Sequence, residues 1–187
     1  MREAFNLKPG SRVVLTTSLL CAGALLALAA SARPSAAQPS PLTTRDYLAA
    51  AMGSDQFEIL AGETAKTQSH DPRVLAFAQH MIQDHTATSQ ALRQAAMSSN
   101  TPLPPKALTD DGSKLLAQVQ GQRGPDFDLT YAKTQVLAHH QALVVEQTYA
   151  RTGSNPAIRA AAKSAVPIIA QHLQMAEQLR TAVGGGS

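Results

Sequence analysis

Tryptophan is absent from this 187-residue chain and aromatic residues make up only 4% of it, so the large flat side chains that fill β-sandwiches and barrels are missing. The 44% of hydrophobic residues are mostly Ala and Leu, which favour helix. Cysteine is nearly absent as well. Cys21 stands alone and lies inside the N-terminal apolar run, which excludes a disulfide framework within the chain and leaves the remainder without a thiolate ligand. An excess of one charge is also lacking once the N-terminal segment is set aside. Residues 1–37 hold Arg2, Lys8, Arg12 and Arg33 against Glu3, and the remainder carries twelve basic and twelve acidic side chains. That balance, without Lys/Arg clusters interleaved with aromatics, argues against nucleic acid or an acidic membrane as a partner. No phosphate-cradling glycine loop, nucleophile beside a base, or redox motif occurs, so no reaction class can be read from the residues.

What is present begins with an export signal. Arg2, Lys8 and Arg12 precede an apolar run from Val13 to Ala30, and small residues follow at Ala32, Ser35 and Ala37. This is the pattern of a secretory signal peptide, with cleavage after Ala32 or, preferred because Pro34 crowds the first site, after Ala37. The competing assignment is a membrane anchor, but the run is Ala-rich and leads straight into small-residue cleavage patterns. Leu19 and Leu20 precede Cys21 where a lipoprotein signal places a small residue, so a lipid anchor is not expected. Residues 1–37 are thus assigned to a signal peptide, 38–43 to a flexible leader and 183–187 to a flexible tail. The exported protein keeps no membrane-spanning segment.

Four long helical patterns occupy residues 44–182. The first follows Thr43, a capping hydroxyl with Asp46 three residues on, and runs from Thr44 to about Gln68. The second starts at Asp71-Pro72, a capping acid before a proline whose missing N–H costs nothing in the first turn. It extends to about Ser98 with Val74, Ala78, Met81, His85, Thr88, Leu92 and Ala95 as its inner stripe. The third runs from about Phe127 to Arg151 with Tyr131, Gln135, Ala138, Ala142, Val145 and Tyr149 inside, and His139 and Glu146 at the border. The fourth repeats the start signal at Asn155-Pro156 and places Ile158, Ala161, Ala165, Ile168, His172, Met175 and Leu179 inside. Pro167 predicts a bend in it. Short connections join the first two and the last two helices into antiparallel hairpins. Residues 99–126, rich in Pro and Gly around a short helix near Asp111–Gln120, are long enough to travel the length of the bundle. The expected fold is all-α: a ferritin-like four-helix bundle of two antiparallel hairpins joined by a long crossover with a short extra helix.

Several residues carry a resemblance: Phe57-Glu58, Met81 with Asp84-His85, Phe127-Asp128 with Tyr131, Gln135-Val136 with His139, and Val166-Pro167 with His172. From about Leu48 to Leu179 the chain resembles the exported bacterial domain-of-unknown-function family 4142, with His140 as a departure from the family's usual polar residue. The resemblance implies a ferritin-like fold and a periplasmic or outer-membrane-associated location. It supplies no activity or substrate.

Ferritin-like di-metal sites need a Glu three residues before His on two helices, because that spacing puts carboxylate and imidazole on one face. Ile82 and Ile169 occupy those positions, which argues against an oxygen-activating di-iron centre. A histidine-rich single-metal site remains, formed by His85, His139 and His172 with Glu58 and Asp84, and with Asp55 or Glu146 as further oxygen donors. Imidazole with carboxylate suits Zn, Fe, Cu or Ni. At ~1.5 Å per residue, Glu58, His85 and His139 lie ~18, ~22 and ~17 Å below the first hairpin turn, and His172 at ~11 Å is about a turn high. Asp84 could ligate, or orient a neighbouring imidazole from behind. The residue types favour a core network over this site, one in which His, Glu, Asp, Tyr and Gln satisfy one another and fix which helices pair. His70, His80 and His140 lie off the inner stripes and are expected on the solvated surface. The expected function is a structural or binding module of the cell envelope, with an envelope protein as candidate partner; the alternative is a metal-binding protein or metal-dependent oxidoreductase.

Overall fold

A computed structural model describes residues 41–185; the signal-peptide and leader assignments up to residue 40, and residues 186–187 of the tail, lie outside the described residues. Five helices follow in order: α1 Thr44–Gln68, α2 Pro72–Ser98, α3 Asp110–Gln120, α4 Gly124–Thr152 and α5 Pro156–Gly184. The described residues contain no strand and are all-α. None of their helices is long and apolar enough to cross a membrane.

The starts are set by the residues the sequence singles out. The Thr43 hydroxyl accepts from the Asp46 amide at 3.1 Å, the Asp71 carboxylate from the Arg73 amide at 2.8 Å, and the Asn155 side chain from the amides of Ala157 and Ile158 at 3.1 and 3.2 Å. Such caps are worth about 1 kcal/mol each. The start of α4 differs from expectation by three residues. Arg123 offers no side-chain cap, and the helix begins at Gly124, with Pro125 in its first turn, where a proline is pre-organised for helix. The apolar periodicity starts only at Phe127, so the sequence pattern assigns the Gly-Pro pair to the crossover.

Helix α1 packs against α2 and α4, and α5 against α2 and α4, while α3 lies on α1 and α4. Tyr47 near the start of α1 donates to Glu146 near the end of α4 at 2.8 Å, and Arg73 near the start of α2 donates to the carbonyl of Ala182 near the end of α5 at 2.9 Å. Both pairs are therefore antiparallel, and α2 and α4 run in the same direction at opposite corners.

The core is divided. One apolar cluster gathers Phe57, Phe77, Met81, Phe127, Tyr131 and Leu179 towards the α1/α2 turn. The other gathers Tyr47, Leu48, Leu92, Tyr149 and Ile158 towards the α4/α5 turn, with the Tyr47 and Tyr149 rings stacked 4.0 Å apart. Between them in sequence, on every long helix, come buried polar residues: Asp55, His85, His139 and Glu146, and His172, with Glu58 directly after Phe57. The close approach of α1 to α2 is set by Gly62, where an added Cβ would sit 2.7 Å from Cγ1 of Ile82.

Two inner faces are rotated from expectation. On α4, His139 and Glu146 are buried while Ala142 and Val145 are only half-buried, so the polar pair belongs to the inner stripe and not to its border. On α5 the buried set is Ile158, Ala162, Ala165, Ile169, His172, Ala176 and Leu179, with Ala161, Ile168 and Met175 at the edge. Helix α5 continues through Pro167, which lies on the exposed face.

Candidate metal centre

His85 of α2, His139 of α4 and His172 of α5 meet in the polar layer, each about 1% exposed. Their ring centroids are 5.3 to 5.5 Å apart. The turn of height that separates His172 in a count along straight axes does not survive in the side chains. In a helix every Cα–Cβ bond leans towards the N-terminus, and α4 and α5 run in opposite directions. His139 and His172 therefore lean towards one another's level.

One nitrogen of each imidazole is held from outside. Nδ1 of His139 donates to the Gln135 carbonyl at 2.8 Å; a carbonyl only accepts, so this nitrogen carries the proton and Nε2 holds a lone pair. Nδ1 of His85 lies 2.8 Å from Oδ1 of Asp55, an oxygen that also accepts from Thr88 at 2.9 Å. Nε2 of His172 lies 2.9 Å from Oδ2 of Asp84. The other nitrogens are free of these anchors. Nε2 of His85 and Nε2 of His139 are 3.4 Å apart, Nδ1 of His172 is buried without a partner, and one ligating nitrogen from each ring lies within 4.8 Å of the other two.

Burial, the largest influence, pushes the His85 and His172 imidazoles down to about 4 and His139 well below its usual 6.5. All three are neutral at pH 7, the form in which imidazole binds a metal. Two descriptions of the 3.4 Å pair compete. As a hydrogen bond it is long, because N–H donors sit 2.7–3.2 Å from their acceptors. As two ligands ~2.05 Å from one tetrahedral ion, the nitrogens should be ~3.3 Å apart.

The carboxylates surround the rings. Oε1 of Glu58 is 3.6 Å from Nδ1 of His139, on that ring's anchored side, and neither Glu58 oxygen has a hydrogen-bond partner. Asp84, half-exposed, stands behind His172. Of the five residues read from the sequence, the three imidazoles thus converge, and Glu58 and Asp84 back them. Asp55, weighed in the sequence only as a further oxygen donor, anchors His85. The signal for that pairing was available: Asp55 lies thirteen residues before the last residue of α1, and His85 thirteen after the first of α2. Burial raises Asp55 to about 7 and Glu58 and Glu146 to about 8, so the layer stores protons at neutral pH. His70 and His140 are exposed as expected, but His80 is not a free surface residue. Its Nε2 lies 3.3 Å from Oδ2 of Asp84, because positions four apart share one helix face.

Two clefts lead inward. One of about 310 Å³ lies between α1, α3 and α4 and reaches Asp55, His85 and Glu146. The other, about 490 Å³, lies between α2 and α5 and reaches Asp84, Asp55 and Glu146.

The family model for the domain of unknown function DUF4142 matches residues 28–179. The chain is a member of the DUF4142 family. No curated protein and no solved structure matches it. The matched segment of this DUF4142 member contains all three converging histidines and their anchors Asp55, Asp84 and Gln135.

Proposed function

We propose that this DUF4142 member is an exported metal-binding protein of the bacterial cell envelope, built as a ferritin-like bundle, that holds one first-row divalent cation on His85, His139 and His172. The observation that carries this reading is the set of unanchored imidazole nitrogens, neutral and buried, two of them at the separation a tetrahedral ion requires. A network of core hydrogen bonds accounts for the outer nitrogens but leaves Nδ1 of His172 without a partner, a buried polar atom that costs about 1–3 kcal/mol. The outer contacts from Asp55, Asp84 and the Gln135 carbonyl are of the kind that orient metal-bound imidazoles and fix their tautomers. Three imidazoles suit Zn, Cu, Fe or Ni, and the short nitrogen spacing favours a tetrahedral ion such as Zn²⁺. A di-iron centre is disfavoured, since Ile82 and Ile169 stand where bridging carboxylates would be.

The ferritin-like assignment rests on the two hairpins, the crossover between α2 and α4, and the shared direction of those helices. The envelope location rests on the charged, apolar and small-residue pattern of residues 1–37, and intact mass of periplasmic material tests it. For the centre, the decisive experiment is metal analysis of protein purified without a histidine tag, followed by titration with Zn²⁺, Cu²⁺ and Fe²⁺. One equivalent bound by the wild type, and lost in a still-helical His85→Ala, supports the reading. A wild type that arrives metal-free and takes up none at micromolar concentrations overturns it.

A further inference from the structure

An ion that reaches three imidazoles each about 1% exposed must cross the wall of the bundle. Among the described residues a second triplet has ligating atoms within 4.8 Å of one another, and it lies in that wall: His80, Asp84 and His172. The side chains of His80 and Asp84 are 41% and 36% exposed and sit one turn apart on α2. Oδ2 of Asp84 is 3.3 Å from Nε2 of His80 on one side and 2.9 Å from Nε2 of His172 on the other.

His172 belongs to both triplets. Its Nε2 meets Asp84, and its Nδ1, buried and unpartnered, faces away from that bond. The ring centroid of His172 is 5.4 Å from His80, 5.3 Å from His85 and 5.4 Å from His139, so imidazoles continue without a gap from the surface to the centre. Asp84 also lines the cleft between α2 and α5.

The geometry points to His80 and Asp84 as the port through which a divalent cation reaches the buried histidines, with His172 as its gate; this rests on the metal-binding reading above. In the metal-free protein the Asp84 carboxylate holds the Nε2–H of His172 and fixes that ring in the wall. A cation captured by Nε2 of His80 and the Asp84 carboxylate draws the carboxylate away from that N–H. The released ring is then free to turn, and the ion passes to the unanchored nitrogens of His85 and His139 and to Nδ1 of His172. Asp84 returns to the Nε2–H behind it. No proton or electron changes hands, and the step is an exchange of ligands.

The test is stopped-flow uptake of Co²⁺, whose visible absorption reports imidazole coordination, by the metal-free exported protein and its His80→Ala variant. His80 is half-exposed, so its removal leaves the core intact. The variant should load more slowly by about tenfold or more, the low end of what focused capture adds to an on-rate. It should also release the ion more slowly, with unchanged final stoichiometry and affinity. An unchanged rate with a normal end point overturns the port and leaves the centre standing. Loss of the end point in His80→Ala makes His80 a ligand of the bound state and equally overturns the port. Failure of the wild type to bind Co²⁺ overturns the centre itself.

Discussion

Acidification from pH 7 to pH 5 separates a buried imidazole centre from an exposed one. An imidazole that titrates at 6.5 is about 97% protonated at pH 5 and weakens its metal bond about 30-fold, so three of them cost on the order of 10⁴ in affinity. From the residue types alone, binding is expected to fail across the range near 6.5. Burial moves that window downward for all three rings, and with His85 and His172 at about 4 those two remain mostly neutral at pH 5. Protonation of His85 and His172 then weakens binding less than about twofold. A second loss arises behind His85, because Asp55, raised to about 7 by burial, gains a proton over the same range. Weakening an outer partner of a metal-bound histidine costs 10–100-fold. The expected fall in Zn²⁺ affinity is therefore about 10- to 100-fold. It is measured by competition with a chelator at pH 7, 6 and 5, with the chelator's own proton dependence included. A fall of about 10⁴ or more would show that the imidazoles titrate as exposed groups and would refute the argument from burial.

Asp55→Ala should keep the helix content and weaken Zn²⁺ by about 10- to 100-fold, since the Nδ1 of His85 loses its acceptor; equal affinity in chelator competition would remove Asp55 from the centre. Glu146 is raised from 4.5 to about 8 by burial, so its contribution to stability is complete below 4.5 and is lost as pH rises through about 8. Glu146→Gln should be more stable than wild type in urea at pH 8.5 by about 3–5 kcal/mol, with the gap narrowing to about 1 kcal/mol or less at pH 5; parallel pH profiles would count against a buried neutral acid. Gly62→Ala drives a Cβ against Ile82 and should lower stability by about 1–3 kcal/mol in thermal or urea unfolding, whereas an unchanged midpoint would mean that α1 and α2 can separate at no cost.

Helix starts were legible because caps are local chemistry: Thr43, Asp71 and Asn155 act on amides two or three residues away. Inner faces were less legible, and α5 shows why. Ala161 and Ala162, Ile168 and Ile169, and Met175 and Ala176 are apolar neighbours, so either of two stripes satisfies the periodicity and only packing against α2 and α4 selects one. On α4 the preference for apolar residues inside pointed to Ala142 and Val145, and the buried His139 and Glu146 violate it because they belong to the polar layer. The three histidines were found because each falls on an inner stripe or beside one. Their tautomers were not, since these depend on which nitrogen meets Asp55, Asp84 or a carbonyl, and such contacts follow from side-chain direction. The link from His80 to Asp84 is an ordinary four-residue spacing, hidden by treating residues off the stripe as solvated.

The distribution of the three imidazoles over α2, α4 and α5 has a mechanical consequence. Residues 41–185 contain no cysteine, so no disulfide fastens one hairpin to the other, and only packing and the crossover hold them together. An ion shared by His85 and His139 closes a loop of 54 residues. A covalent bridge of that span would restrict the unfolded chain by about 4 kcal/mol. Bound metal would then act as a removable staple. Separation of the hairpins would require the ion to leave first, and resistance to heat and proteases would follow the free-metal concentration around the protein.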